Sequence, residues 1–174
     1  MLKLILNKKY NPLFESDARY FIITGGRGSG KSFAVTVFLT LLTMSKNIRV
    51  LFTRFTMVSA HLSIIPEFLE KISLLGFENI FSVNKAEVVN LGNKSDILFR
   101  GIKTSAGNQT ASLKSLQGIS TWVLDEAEEL IDEDIFDTID LSIREKGIQN
   151  RIILILNPVT KEHWIYKRFF EDKG

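Results

Sequence analysis

Apolar residues in this chain fall into short runs broken by glycines and polar turns. Residues 19–24 (RYFIIT) are a β-rich run that stops at glycines, and residues 31–45 (KSFAVTVFLTLLTMS) follow with no Gly or Pro for the length of a helix. That order predicts strand, glycine loop, helix. Residues 48–54 (IRVLFTR) are too short for a helix and rich enough in Ile, Val and Phe for a strand buried on both faces, so a parallel βαβ unit is expected. From Val58 on, Leu62, Ile65, Leu69 and Ile72 recur at steps of four and three, predicting a helix with one apolar face through Leu75, which Pro66 must start or kink. AEVVNL and SDILFRG flank Gly92 and Asn93, whose turn chemistry predicts a hairpin. Residues 104–115 are polar and predict a loop with at most a short helix. STWVLDE (120–126) and RIILILN (151–157) are two further buried strands, with an acidic helix expected over residues 132–145 between them. EHWIYKRFFE (162–171) is amphipathic at best. The alternation implies an α/β fold with a largely parallel sheet covered on both sides, binding ligands at the carboxyl ends of its strands.

Composition narrows the chemistry. With 174 residues, 45% hydrophobic and 24% charged, the chain suits one domain with a sizeable core, and no internal repeat or linker divides it. No apolar run reaches the roughly 18 residues that span a bilayer, and the opening MLKLILNKKY is too short in apolar residues for a signal peptide, so a cytosolic protein is expected. The absence of Cys removes disulfides and thiol catalysis, and two His, His61 and His163, leave little for a His-based metal centre. Charge is uneven: residues 1–60 hold nine Lys or Arg against two acids, whereas residues 125–145 hold ten acids against Arg144. Such asymmetry either marks a face for phosphate or nucleic acid or reflects clustered solvated charges.

Gly25 to Ser32 reads GGRGSGKS, a full match to the phosphate-loop pattern G-x-x-x-x-G-K-[ST], placed after a predicted strand and opening a predicted helix. Glycines let the backbone of Gly25, Gly26, Arg27, Gly28, Ser29 and Gly30 wrap phosphate oxygens. Lys31 neutralises β/γ-phosphate charge, and Ser32 supplies a Mg²⁺ ligand. In TWVLDE, Asp125 ends an apolar strand where it can hold the Mg²⁺ shell, and Glu126 can act as general base toward the attacking water, which favours hydrolysis. The bland alternative is that both begin a solvated acidic turn, since Glu128 and Glu129 follow. Asn157, at the end of RIILILN and before Pro158, is either a γ-phosphate contact or an ordinary turn former.

GGRGSGKS after RYFIIT, then VLFTR, ILFRG, SLQGISTWVLDEAEEL and ILILNP in that order resembles the ATPase domain of the large subunit of the tailed-phage and prophage terminase, over nearly the whole chain. The resemblance implies a P-loop NTPase of the additional-strand, catalytic-glutamate type. Its implied activity is Mg²⁺-dependent ATP hydrolysis driving translocation of double-stranded DNA into a capsid. The implied partners are the capsid portal, the small terminase subunit and further copies in a ring, working in the bacterial host cytoplasm. It further implies a ribonuclease H-like nuclease domain, which nothing here matches, so residues 1–174 are expected to be a single ATPase domain without nuclease activity. An adenine-contacting segment is implied upstream of the phosphate loop, where Lys9, Tyr10, Asn11 and Phe14 stand. In a ring, Arg27 either meets the γ-phosphate of its own subunit or pairs with a carboxylate, and Arg54 and Arg100 are alternative fingers toward a neighbour. Lys8, Lys9, Lys46 and Arg49 are either DNA contacts or solvated charges. Two alternatives share the nucleotide chemistry: a helicase- or recombinase-like ATPase on single strands, and a nucleotide-gated assembly scaffold.

Overall fold

A computed structural model describes residues 4–58 and 60–171. In chain order the elements are α1 (Pro12–Glu15), β1 (Tyr20–Thr24), α2 (Lys31–Leu42), β2 (Arg49–Arg54), α3 (Ile64–Leu74), β3 (Phe81–Val83), β4 (Glu87–Asn90) and β5 (Asp96–Gly101). There follow β6 (Lys103–Thr104), β7 (Gly107–Asn108), α4 (Thr110–Lys114), β8 (Thr121–Asp125), α5 (Glu133–Asp140), β9 (Arg151–Leu156) and α6 (Trp164–Phe169). One seven-stranded sheet runs β1-β9-β8-β2-β5-β4-β3. Its first five strands are mutually parallel, and β4 and β3 add an antiparallel edge. The last strand in sequence, β9, is inserted between β1 and β8, which is the additional strand of the expected fold class.

Register decides what meets at the carboxyl ends. Ile155 pairs with Ile23 on one side and Asp125 on the other, and Thr53 pairs with Leu124, so Arg54 and Asp125 finish their strands side by side. The middle of the sheet is locked by Trp122, whose indole donates to Thr53 Oγ1 at 2.9 Å, while that hydroxyl donates to the Val123 carbonyl at 2.9 Å. Both faces are covered. On one, α2 and α3 pack Phe38, Leu39 and Phe68 on Phe52 and Phe99, with the rings of Phe52, Phe68 and Phe99 5.4–6.0 Å apart. On the other, Phe136 of α5 stacks between Trp122 and Trp164 at 5.1 and 4.8 Å. Truncating a fully buried ring such as Phe68 to Ala costs about 3–5 kcal/mol. No described helix is long and apolar enough to cross a membrane.

The strands, the βαβ unit and the hairpin across Gly92 and Asn93 agree with the sequence reading. The apolar face of α3 agrees only in part, with Ile65 and Ile72 against the core and Leu62 and Leu69 away from it. The helix starts at Ile64, with Pro66 in its first turn, and it buries Ile64, Phe68, Lys71 and Ile72, whereas Val58, Leu62 and Leu69 are exposed. Leu62 belongs to a separate 3₁₀ turn (Ala60–Leu62), so the spacing that joined it to Leu69 crosses a change of axis. The acidic helix is shorter than residues 132–145: Asp132 caps α5 by accepting from Asp134 N at 3.0 Å, and the helix ends at Asp140. There the Asp140 carboxylate accepts from Arg19 at 2.6 Å and from the Tyr20 hydroxyl at 2.7 Å. The polar stretch 104–115 contains the small β6–β7 hairpin as well as the short helix α4.

Candidate nucleotide-binding site

The loop between β1 and α2 needs glycine where it is tightest. Gly28 and Gly30 have φ of 73° and 80°, in the left-handed region. A Cβ on Gly25 would lie 3.1 Å from Ser29 Oγ. The loop opens α2 with its N-terminal amides toward the site, which favours anions. Lys31 is almost fully buried, and its ammonium donates to the carbonyls of Gly25 and, at 2.9 Å, Gly26, with Ser29 Oγ at 3.3 Å. The lysine is thus held by the loop it would leave for a phosphate. From outside, the loop is braced by Tyr10, whose hydroxyl donates to the Ser29 carbonyl at 2.9 Å, and by Lys9 Nζ at 3.3 Å from the same oxygen. Tyr10 is core rather than free for a base, and Phe14 sets its ring edge against Phe38 at 5.1 Å.

A cavity of about 400 Å³ collects the phosphate loop, Asp125, Glu126, Glu128 and Asn157, so every residue assigned to chemistry beyond the two loop glycines Gly25 and Gly26 lines one space. Asp125 is buried and accepts from Arg54 Nε at 2.7 Å, and Arg54 Nη1 reaches Ser63 Oγ at 3.3 Å. Glu126 follows with φ 51° and ψ 46°, a left-handed conformation costing roughly 1–3 kcal/mol at a non-glycine residue. Its half-exposed carboxylate lies 3.8 Å from Arg54. Burial raises the Glu126 pKa above the ordinary glutamate value, Arg54 opposes this, and the charges of Asp125, Glu129 and Glu128 add to it. Asn157 is on the cavity wall, but its amide donates to Glu128 Oε1 at 2.7 Å. The other Glu128 oxygen is buried with no hydrogen-bond partner.

Arg27 is exposed at the cavity mouth and forms no ion pair among the described residues, so the carboxylate pairing considered for it is absent. Arg54, considered as a finger for a neighbour, is instead committed within its own chain to Asp125. Arg100 caps the carbonyls of Phe99 and Ala86 at 2.8 and 3.3 Å, outside the cavity. Lys46 and Arg49 lie at the opposite end of the sheet. Sequence reasoning missed Glu128 as a partner of Asn157 and Glu67, which lines the cavity from α3. The DEAEE run held a signal for the first and nothing held one for the second. As a test of fit for Mg²⁺, the Ser32 hydroxyl and the Asp125 carboxylate are the hard oxygen donors that ion takes beside phosphates. Asp125 already carries a cation, the Arg54 guanidinium, as a stand-in.

The comparisons with known proteins give the family and the fold. The family model of the phage terminase large subunit matches residues 17–174. The large terminase of a thermophilic bacteriophage superposes with a TM-score of 0.75 at 13% identity, over 95% of this chain and 42% of that one; the same enzyme is also known in complex with ADP and with ATP-γ-S. The large terminase ATPase domain of Thermus phage P74-26 gives 0.66 at 18% identity, covering 94% of this chain and 68% of that one. The bacteriophage Phi-29 genome packaging motor gives 0.66 at 16%, covering 95% and 50%. No curated protein matches by sequence. The chain spans about two-fifths of the first of these terminases. With its β9 insertion, its phosphate loop and a family match over nine-tenths of its length, the chain belongs to the phage terminase large subunits and has the P-loop fold of their ATPase domains.

Proposed function

We propose that residues 1–174 act as one ATPase unit that hydrolyses ATP with Mg²⁺ and couples hydrolysis to translocation of double-stranded viral DNA into a capsid. The observation that carries this reading is the convergence of Lys31, Ser32, Asp125 and Glu126 on one cavity at the carboxyl ends of β1, β8 and β9. Lys31 exchanges the loop carbonyls for β- and γ-phosphate oxygens, and the α2 N-terminus adds backbone donors. Ser32 and Asp125 would hold Mg²⁺, which when bound neutralises charge on the phosphates. Glu126 accepts a proton from the attacking water; its raised pKa brings it closer to the working pH of a general base. Arg27, unpaired at the mouth, contacts the γ-phosphate as charge develops there. Asn157, on the wall between phosphate loop and Glu126, hands the state of the γ-phosphate to Glu128. In this reading the chain works in a ring with the capsid portal and the small terminase subunit, in the host cytoplasm, and its likeness in fold to a viral genome packaging motor assembly supports such a setting.

Steady-state ATPase measurements with linear duplex, single strand, or neither test the reading. Stimulation by duplex is expected. Stimulation by single strand alone favours a helicase-like motor, and binding of ATP without turnover in any arm favours a nucleotide-gated scaffold.

A further inference from the structure

Glu67 faces the nucleotide cavity from α3, across from the sheet that carries Asp125 and Glu126. Four residues on, Lys71 is buried to 2% side-chain exposure, with its ammonium 3.4 Å from Glu67, 3.0 Å from Glu70 and 4.5 Å above the Phe33 ring. A solvated helix pair needs no such burial, and an ammonium out of water is costly unless it is paired. Phe33 adjoins Ser32 and also lines the cavity, so this buried cation is built against the phosphate-loop helix.

Beside Ser32 the cavity continues into a narrow chamber of about 90 Å³, lined on its polar side by Ser32, Thr36, Arg54, Ser63, Glu67 and Asp125. That exceeds the roughly 10–15 Å³ that one water needs, and polar partners line the space. Mg²⁺ held by one or two protein oxygens and by phosphates keeps several of its waters, and those waters need acceptors. Asp125 and Ser32 are spent as direct ligands in the reading above, and Glu67 is the further carboxylate on the chamber wall.

We propose that Glu67 is a third carboxylate of the magnesium–nucleotide site, accepting hydrogen bonds from the waters of the hydrated cation without touching it, and that Lys71 is its positioning residue. This rests on the nucleotide-binding reading. The two are separated by titrating Mn²⁺ into the protein–ADP complex and following free Mn²⁺ by electron paramagnetic resonance, with ADP affinity measured in parallel without metal. Glu67→Gln is expected to weaken Mn²⁺ binding about 10- to 100-fold, the usual effect of losing an outer-shell partner, and to leave metal-free ADP affinity unchanged. Glu70→Gln, which also meets Lys71 but lines neither cavity, should leave Mn²⁺ affinity at the wild-type value. Lys71→Met should change Mn²⁺ affinity only when Glu67 is present; an equal effect in the Glu67→Gln background is plain charge repulsion and removes the positioning role. Wild-type Mn²⁺ affinity in Glu67→Gln, or an equal loss in Glu70→Gln, overturns the proposal and leaves nucleotide binding standing. Failure of the wild-type chain to bind ADP overturns both. Should Glu67→Gln not fold, Glu67→Asp, which keeps the charge and withdraws it, is expected to give a smaller loss of the same kind.

Discussion

The two ends of the central sheet use the same residue types for opposite purposes. At the amino end, polar side chains are spent on backbone groups and on one another. Arg49 forms a two-pronged pair with Asp96 at 3.0 Å, Asn90 Nδ2 donates to the Thr43 carbonyl at 3.1 Å, and Asn93 Nδ2 donates to the Met44 carbonyl at 2.9 Å. Ser95 Oγ donates to the Ser45 carbonyl at 2.7 Å and accepts from Ile48 N at 3.0 Å. Together these staple the α2–β2 turn to the β4–β5 hairpin. At the carboxyl end, polar groups are left poised: Lys31 rests on carbonyls, Glu126 is held in a left-handed conformation with a raised pKa, and one Glu128 oxygen has no partner. The amino-end crevice, at about 710 Å³, is the larger of the two. Volume does not distinguish the end that does chemistry, and neither does unpartnered polarity alone, since Ser120 Oγ, Thr121 Oγ1 and Arg151 Nε at the amino end are also buried without partners among the described residues; the convergence of the buried Lys31 ammonium and carboxylates on one cavity does.

Variants at either end break or sharpen that contrast. The largest effect is expected from Lys31→Ala, which removes the only ammonium inside the loop and should abolish Mg²⁺–ATP binding by calorimetry. Near wild-type affinity in that variant would sink the site assignment. Next, Glu126→Gln should bind ATP normally and lose about 10²- to 10⁴-fold in turnover, the range of general-base catalysis, in whichever assembly activates the wild type. Arg27→Ala is expected to lower turnover far more than ATP affinity, as for a contact that strengthens in the transition state. Unchanged turnover would take Arg27 out of the catalytic set.

At the amino end the same kind of change should act on stability alone. Asn90→Ala orphans the Gly92 and Asn93 amides that Asn90 now satisfies and removes one of the two amide donors to the Thr43 carbonyl, which keeps Asn93 Nδ2 at 3.2 Å; it is expected to cost about 1–3 kcal/mol in urea denaturation with ADP affinity intact. A matching loss of nucleotide affinity would erase the distinction between the ends. The smallest effect concerns pH. Burial raises the Glu126 pKa, and the base works only when ionised, so the acid limb of turnover should lie above the ordinary glutamate value of about 4.3. Because Arg54 opposes that shift, Arg54→Gln should move the limb to higher pH. The same shift means that the folded chain holds a proton the unfolded chain has released between the two pKa values. The stability this adds is present below the unfolded value and lost as pH rises through the folded one. Since Glu126 is half-exposed, that part is small and is read as the difference from Glu126→Gln across the window.

Most of the site was legible because its elements are local. The spacing of GGRGSGKS dictates where Lys31 and Ser32 stand on the first turn of α2, and an apolar run ending in Asp-Glu dictates a buried strand with carboxylates at its exit. The order β1-β9-β8 was implied only through the resemblance, because strand order depends on contacts between residues more than a hundred positions apart. The face of α3 was partly misjudged because periodicity cannot register that a 3₁₀ turn precedes the helix, and so Phe68 and Lys71 went unremarked.

The pairings inside the cavity are of that second kind. Composition and spacing alone show that this chain has a phosphate loop, a carboxylate pair and an Asn-Pro strand exit, since each is written in consecutive residues whose backbone geometry follows from their own chemistry. That Arg54 is held by Asp125, that Asn157 turns to Glu128, and that Glu67 faces Ser32 across a chamber came from the parallel register of β2, β8 and β9 and the docking of α3 on α2. A side chain's partner depends on which strands lie adjacent and how far a helix is rotated, and these are settled by packing the whole core at once.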